Sequence, residues 1–281
     1  MLHKIIKMFA NEEKKRTQLK EIWVYPIKSL DGIKVNTSKI LSSGALYRDR
    51  EYAMFDSEGK YVHAKRTKEV HTFRASFYEN INQVELISKI GKLKVEWHEM
   101  NKMEEFLSEH FGFSIHLKKE ENSGFPDDRE LGGPTIVSEG TLVAISNWFK
   151  ETQNIDFSYE EMLRRFRPNI ILGDCKEFLE DELIEVDFYL GNILIKGMEP
   201  TPRCVVPTRD PSTGEISSGF SKLLTDKRKA TIGSNINRKH FEHFYKLCLN
   251  TKILYSETGK ELHTGDLLLS ETELWGDTFA I

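Results

Sequence analysis

LKEIWVYPIKSLDGIKV, residues 19–35, sets the period on which the rest of the chain is read. Ile22 and Val24, then Ile33 and Val35, recur two residues apart, the spacing at which an extended strand turns one face to a core. The same spacing returns at Tyr52 and Met54 and at Tyr61 and Val62, on either side of a Ser57-Glu58-Gly59 turn, so the first third of the chain reads as a β meander. Two more hairpin signals follow, Val84 to Ile87 set against Leu93 to Trp97 across Gly91. The first helical spacing is at residues 102–110, with Met103, Phe106 and Leu107 on one face.

Residues 118–133, KKEENSGFPDDRELGG, are polar and carry Pro126 and three glycines, which marks a long loop or linker. The expected organisation is a flexible tail at 1–18, one domain at 19–125 and a second at 126–281. In the second, a strand at Thr135 to Val137 leads into a helix opened by Ser138-Glu139-Gly140, with Ser138 as N-cap and Leu142, Ile145 and Phe149 inward. A helix at 158–166 runs into Pro168, and strands are expected at 170–172, 184–190 and 193–196, the last two joined at Gly191-Asn192. Residues 253–269 again read as strands. The fold expectation is mainly β with α+β character: two β-barrel-like domains with peripheral helices and a cleft between them.

The 281 residues carry 40 basic and 44 acidic side chains, a formal net charge of −4, so nothing draws the chain as a whole to nucleic acid or an anionic membrane. Any anion site must be local. The three cysteines, Cys175, Cys204 and Cys248, are far apart and odd in number, which argues against a disulfide framework and for a reducing, cytoplasmic setting. The amino terminus has only a short apolar run broken by Lys4 and Lys7, so no transmembrane segment is expected and the tail reads as frayed. A membrane-surface helix on Leu2, Ile5, Ile6 and Phe9 is the alternative.

No GxGxxG, Walker loop, HExxH, GxSxG elbow or zinc-spaced Cys/His set occurs. His240 and His243 stand three apart, but with Phe241, Phe244 and Tyr245 interleaved and no acid nearby they read as ordinary residues. Four segments are rich in Arg, Lys, Ser and Gly at strand ends: YPIKSL (25–30), GALYRDR (44–50), RFRPN (165–169) and PRCVVPTRDPSTG (202–214). Lys28, Arg50, Arg167 and Arg203 could converge on a phosphate, with Ser29 and backbone N–H groups completing the site. Scattered surface charge is the plainer reading. Cys204 follows Arg203, whose guanidinium favours a thiolate, and prolines flank it. On spacing alone it reads as a buried inert thiol, with metal ligation as the alternative.

Taken together, YPIKSL with the following DG, the RDR of 48–50 before Tyr52, FRPNI at 166–170, FLEDE at 178–182, RC with TRDPSTGE, and the late GKELHTGD resemble one family. It pairs a MOSC amino-terminal β-barrel domain with a MOSC domain, as in the mitochondrial amidoxime-reducing component and its bacterial relatives. The resemblance runs from about Leu19 over nearly the whole chain. It implies a molybdenum cofactor, Mo-molybdopterin, with Cys204 as metal ligand and catalytic centre. Lys28, Ser29 and Arg50 would contact its phosphate or pterin from the first domain, and Arg167, Asn169 and Arg203 from the second. Ser138, Thr208 and Asp210 match further positions near the cofactor.

The implied activity is an oxidoreductase that reduces small N-hydroxylated substrates, with electrons from a separate iron–sulfur, flavin or haem protein. The alternatives are a non-catalytic cofactor or sulfur carrier, and a relative that has lost the cofactor and binds another small anion. Pro202 stands where several relatives have serine, and Pro207 where a hydroxyl residue is common, so a hydroxyl and an N–H donor beside the metal position are replaced.

Overall fold

A computed structural model of the chain describes residues 16–78, 81–128 and 130–270. The expected tail and its amphipathic alternative fall almost entirely on residues 1–15, outside the described residues. The first half contains β1 (Gln18–Val24), β2 (Ile33–Val35), β3 (Thr37–Lys39), β4 (Tyr52–Phe55), β5 (Tyr61–Val62), β6 (Arg74–Tyr78), β7 (Gln83–Ser88), β8 (Gly91–Glu96), α1 (Met100–Phe111) and β9 (His116–Lys119). The second contains β10 (Ile136–Ser138), α2 (Glu139–Gln153), α3 (Tyr159–Phe166), β11 (Ile170–Gly173), α4 (Leu179–Glu182), β12 (Asp187–Leu190), β13 (Ile193–Pro202), α5 (Phe220–Thr231), β14 (Lys246–Ile253), β15 (Glu261–His263) and β16 (Leu268–Leu269).

Eight strands form one sheet in the order β16-β12-β13-β14-β10-β11-β1-β2. Only the β10–β11 pair in it is parallel. Sheets β5-β4-β9, β6-β7-β8 and β15-β3 complete the molecule. The mainly β expectation with peripheral helices therefore holds, but among the described residues no sheet closes on itself. Strands from both sides of residue 125 share the large sheet, since β1 of the first half pairs with β11 of the second.

Burial explains the sequence pattern along that sheet. Ile170 and Leu172 pack into one apolar cluster and Ile171 into another, so β11 is covered on both faces and its apolar run is unbroken. The second cluster lies under α2, α3 and α5, where Leu142, Ile145 and Phe149 meet Phe166 and Phe220. Ser138 caps α2 by accepting from Thr141 N at 3.2 Å, and Asn154 ends it in the left-handed conformation.

Two expectations are corrected. Residues 184–186 are not strand: Gly197 comes so close to this segment that a Cβ there would lie 1.8 Å from the Leu183 carbonyl oxygen, and the chain crosses it as a turn. Helix α5 was not anticipated, although Phe220, Leu223 and Leu224 bury at helical spacing.

The β13–β14 pair bears most on the site. Its register runs Gly197↔Thr251, Pro200↔Leu249, Pro202↔Lys246, which inserts one extra residue first in β13 and then in β14. The second bulge accounts for Cys248, buried with φ 65° inside a strand. Since β12 pairs with β13 only as far as Lys196, Pro200 and Pro202 face an edge where no ladder donor is missed.

Candidate functional site

Main-chain pairing brings the first two basic segments together. Arg50 N donates to Tyr25 O (2.8 Å), Tyr52 N to Pro26 O (2.9 Å) and Lys28 N to Tyr52 O (2.7 Å), so YPIKSL lies along RDREY. Ser29 and Arg50 both have left-handed backbone, with φ 75° and 54°, and Arg167 at the C-cap of α3 has φ 51°. Non-glycine residues held this way carry strain that the surrounding structure must support, and they concentrate at functional sites. Asn169 knits the segments: its Oδ1 accepts from Thr135 N (3.2 Å), Thr135 Oγ1 (3.3 Å) and Arg50 Nη1 (3.5 Å), and its Nδ2 donates to Trp23 O (3.0 Å).

These segments and the end of β13 wall one cleft of about 630 Å³. Lys28, Ser29, Arg50, Arg167, Asn169, Arg203 and Cys204 all line it. Ser138, Thr208 and Asp210 do not. Ser138 is fully buried as the cap of α2, Thr208 Oγ1 donates to Val205 O at 2.6 Å, and Asp210 accepts from Ser212 N and Thr213 N at 2.8 and 2.9 Å to hold its own turn. All three shape loops.

Eight Lys and Arg side chains line the cleft against five carboxylates (Asp31, Asp49, Asp127, Asp128 and Glu199), three positive charges in excess, although the whole chain is at −4. Lys28 donates to the carbonyls of Phe125 (2.8 Å) and Pro126 (3.2 Å) and pairs with Asp127 at 2.9 Å. Burial lowers the Lys28 pKa and Asp127 opposes that shift. Burial alone would raise Asp127, but Lys28, Arg50 and Lys65 hold it well below the usual carboxylate range, so it is ionised. Arg50 pairs with Asp49.

Sequence reasoning missed Tyr25, the support for two of these cations. The Arg167 guanidinium lies 4.1 Å from the Tyr25 ring centroid and that of Arg50 5.3 Å, while the hydroxyl donates to Pro168 O at 3.0 Å. Burial raises the Tyr25 pKa, so the ring stays neutral. Arg167 Nη1 donates to Leu30 O at 2.7 Å, and its Nη2 is buried without a partner among the described residues. A buried N–H group of a cation without an acceptor is costly and marks a place for an anionic ligand oxygen.

Arg203 is differently placed. Its Nη1 donates to Phe166 O (3.2 Å) and its Nη2 to Leu247 O (2.6 Å), which ties the residue before Cys204 to α3 and β14. Cys204 itself is half-buried on the cleft wall, and Val206 N donates to its Sγ at 3.4 Å. Burial pushes the thiols of Cys175 and Cys248 up to about 11, as suits inert cysteines.

Further cleft residues escaped the sequence reading because nothing local distinguishes them. Asp31 pairs with Arg74 at 3.0 Å and Arg164 at 3.5 Å, and both arginines donate to Pro211 O at 2.5 Å, fastening the loop beyond Cys204. Burial lowers His71 to about 4, so it is neutral at ordinary pH.

Among the described residues no group of three or more His, Cys, Asp or Glu side chains could hold a metal ion. A metal beside Cys204 would have to bring its other ligands with it. A group carrying its own metal ligands and a phosphate fits the residues present, with a thiol on the wall, an unsatisfied guanidinium and excess positive charge in a cofactor-sized space.

The fold and the cleft thus define a mainly β protein with a cleft whose lining carries excess positive charge and a thiol. Residues 16–151 match the MOSC N-terminal beta barrel domain. The chain is 24% identical over 240 residues to mitochondrial amidoxime reducing component 2 of Bos taurus, covering 70% of this chain and 67% of the relative. It is 23% identical over 241 residues to mitochondrial amidoxime-reducing component 1 of Mus musculus, covering 74% and 69%. A shorter similarity, 28% over 104 residues, covers 36% of this chain and 14% of the molybdenum cofactor sulfurase of Caenorhabditis briggsae. No helix among the described residues is long and apolar enough to cross a membrane.

Proposed function

We propose that the cleft holds a molybdenum cofactor, with Cys204 as its protein ligand, and that the protein reduces N-hydroxylated compounds. The observation that carries this reading is the convergence of Lys28, Arg50, Arg167 and Cys204, from four separate segments, on one cleft. The named relatives, amidoxime reducing components and a molybdenum cofactor sulfurase, support a molybdenum cofactor-related function.

In this reading Arg167 Nη2, Lys28 and the left-handed turn at Ser29 take the phosphate, and Arg50 and Asn169 the pterin edge. Arg203 acts through Cys204: by bonding the Phe166 and Leu247 carbonyls it fixes where the sulfur stands. The Val206 N–H, 3.4 Å from Sγ, helps hold the sulfur in place. The cofactor, when bound, supplies two-electron chemistry that breaks an N–O bond to leave N–H and water. Pro202 and Pro207 contribute neither a hydroxyl nor an N–H to this region. The electrons come from a separate carrier of iron–sulfur, flavin or haem type.

The test is elemental and pterin assay of the purified protein, followed by benzamidoxime with an artificial reductant. Molybdenum and pterin near one per chain with turnover to benzamidine is the expected result. Metal without turnover would favour a carrier role, and neither metal nor pterin would overturn the proposal.

A further inference from the structure

A second space, of about 280 Å³, adjoins the cleft between β1, the start of β6 and α3. Asp31, Arg74, Arg164 and Arg167 line both spaces and form the wall they share. Trp23, Tyr25, Ala75, Glu160 and Leu163 line the smaller one only. Two-residue alternation puts Trp23 and Tyr25 on the same side of the β1 segment. Trp23 Nε1 donates to Glu21 Oε2 at 2.7 Å and the Tyr25 hydroxyl to Pro168 O at 3.0 Å. Both polar tips are thus taken within the protein, and the two rings, with Ala75 and Leu163, give the space apolar walls. Gly32 leaves room for the Tyr25 ring, since a Cβ there would lie 2.6 Å from two of its ring carbons.

The charged part of the lining is unbalanced. Three arginines stand against two carboxylates, Asp31 and Glu160, one positive charge in excess. Asp31 is already held by Arg74 at 3.0 Å, by Ala75 N at 3.1 Å and, more loosely, by Arg164 at 3.5 Å. The Arg164 side chain remains 33% exposed, and Arg167 Nη2 is buried without a partner among the described residues. Small-molecule sites combine mostly apolar walls with a few polar groups that fix orientation, and guanidinium groups recognise carboxylates through charge-assisted bonds. A bare phosphate would leave the apolar walls uncovered, and an uncharged ring would leave the excess positive charge unanswered. We propose that this space is a second ligand site that takes a small aromatic carboxylate, with the ring against Trp23 and Leu163 and the carboxylate toward Arg164 and Arg167. The site does not depend on molybdenum in the larger cleft.

2-Naphthoate is titrated calorimetrically into the full chain and its variants, beside 2-naphthamide, which has the same ring without the charge. The wild type is expected to bind naphthoate about tenfold or more tighter than naphthamide, the range for a charge-assisted bond. Trp23→Leu should weaken naphthoate about tenfold through lost ring contact and burial. Glu160→Gln, which removes an acid from the rim, should tighten it about two- to fivefold, as for an exposed charge. Lys28→Met, which alters the lining of the larger cleft alone, should leave naphthoate affinity unchanged. Circular dichroism melts check folding; Glu160 is exposed, so its variant tests the site even where Trp23→Leu fails to fold. No naphthoate binding by the wild type, equal binding of naphthoate and naphthamide, or a loss in Lys28→Met matching that in Trp23→Leu would overturn the proposal. So would naphthoate affinity that does not rise in Glu160→Gln.

Discussion

The two walls of the cleft hold their cations in different ways. On the amino-terminal wall Lys28 and Arg50 each face an acid, Asp127 and Asp49, so much of their charge is offset where it stands. On the carboxy-terminal wall Arg167 and Arg203 donate to neutral carbonyls, of Leu30, Phe166 and Leu247, and keep their charge. The first arrangement leaves little net charge on its wall; the second leaves the guanidinium charge unoffset. Among the described residues, one nitrogen of Arg167 holds the Leu30 carbonyl and another is left without an acceptor. Counting basic residues would have ranked all four alike.

The contrast can be broken or sharpened experimentally. The largest effect should come from Cys204→Ala, which removes the sulfur without removing any cation. Molybdenum content by elemental analysis should drop to background while the thermal melt is unchanged, and retained metal would refute the ligand assignment.

Next is a buried acid that, unlike Asp127, has no cation of its own. Glu180 is 1% exposed, with Oε1 unpartnered and Oε2 accepting from Ser138 N, whereas its neighbour Asp181 has both oxygens on Arg228 at 2.8 Å. Burial, reinforced by Asp181, raises Glu180 from 4.5 to about 7. A raised carboxyl pKa means the fold favours the protonated form. The contribution is therefore present in full below pH 4.5 and is lost as pH rises to about 7, by at most about 3 kcal/mol at 1.36 kcal/mol per unit. Chemical denaturation of Glu180→Gln against wild type should show the variant gaining relative stability across that window. A constant difference would exclude the burial-driven shift.

Arg167→Gln should weaken binding of inorganic phosphate about ten- to a hundredfold, the range for a charge-assisted bond, and lower pterin content accordingly. Removing the whole Lys28–Asp127 pair, as Lys28→Met with Asp127→Asn, should change phosphate affinity less than about threefold, because a nearly neutral pair is deleted. Comparable losses in the two experiments would erase the distinction between the walls. The smallest effect is expected from Asp127→Asn alone, which uncovers Lys28 and should tighten phosphate by no more than about fivefold, in line with a pair worth up to about 1 kcal/mol.

Hairpins, helix caps and inward faces were legible in the chain because they depend on neighbours. The two-residue period of β1 and β2, the turn between β4 and β5, and Ser138 as the cap of α2 all appear where the spacing put them. Seven of the residues singled out, Cys204 among them, line one cleft. What the spacing could not encode is register and closure between distant segments. Whether residues 184–186 pair as strand depended on how near Gly197 passes, and the sheets expected to close stay open. Asp31 and Tyr25 joined the site only when the chain folded back across more than a hundred residues to Arg164, Arg167 and Pro168. Local period and residue type are properties of the chain. Which charges remain unsatisfied is a property of the packed whole, because it depends on every group brought within a few ångströms.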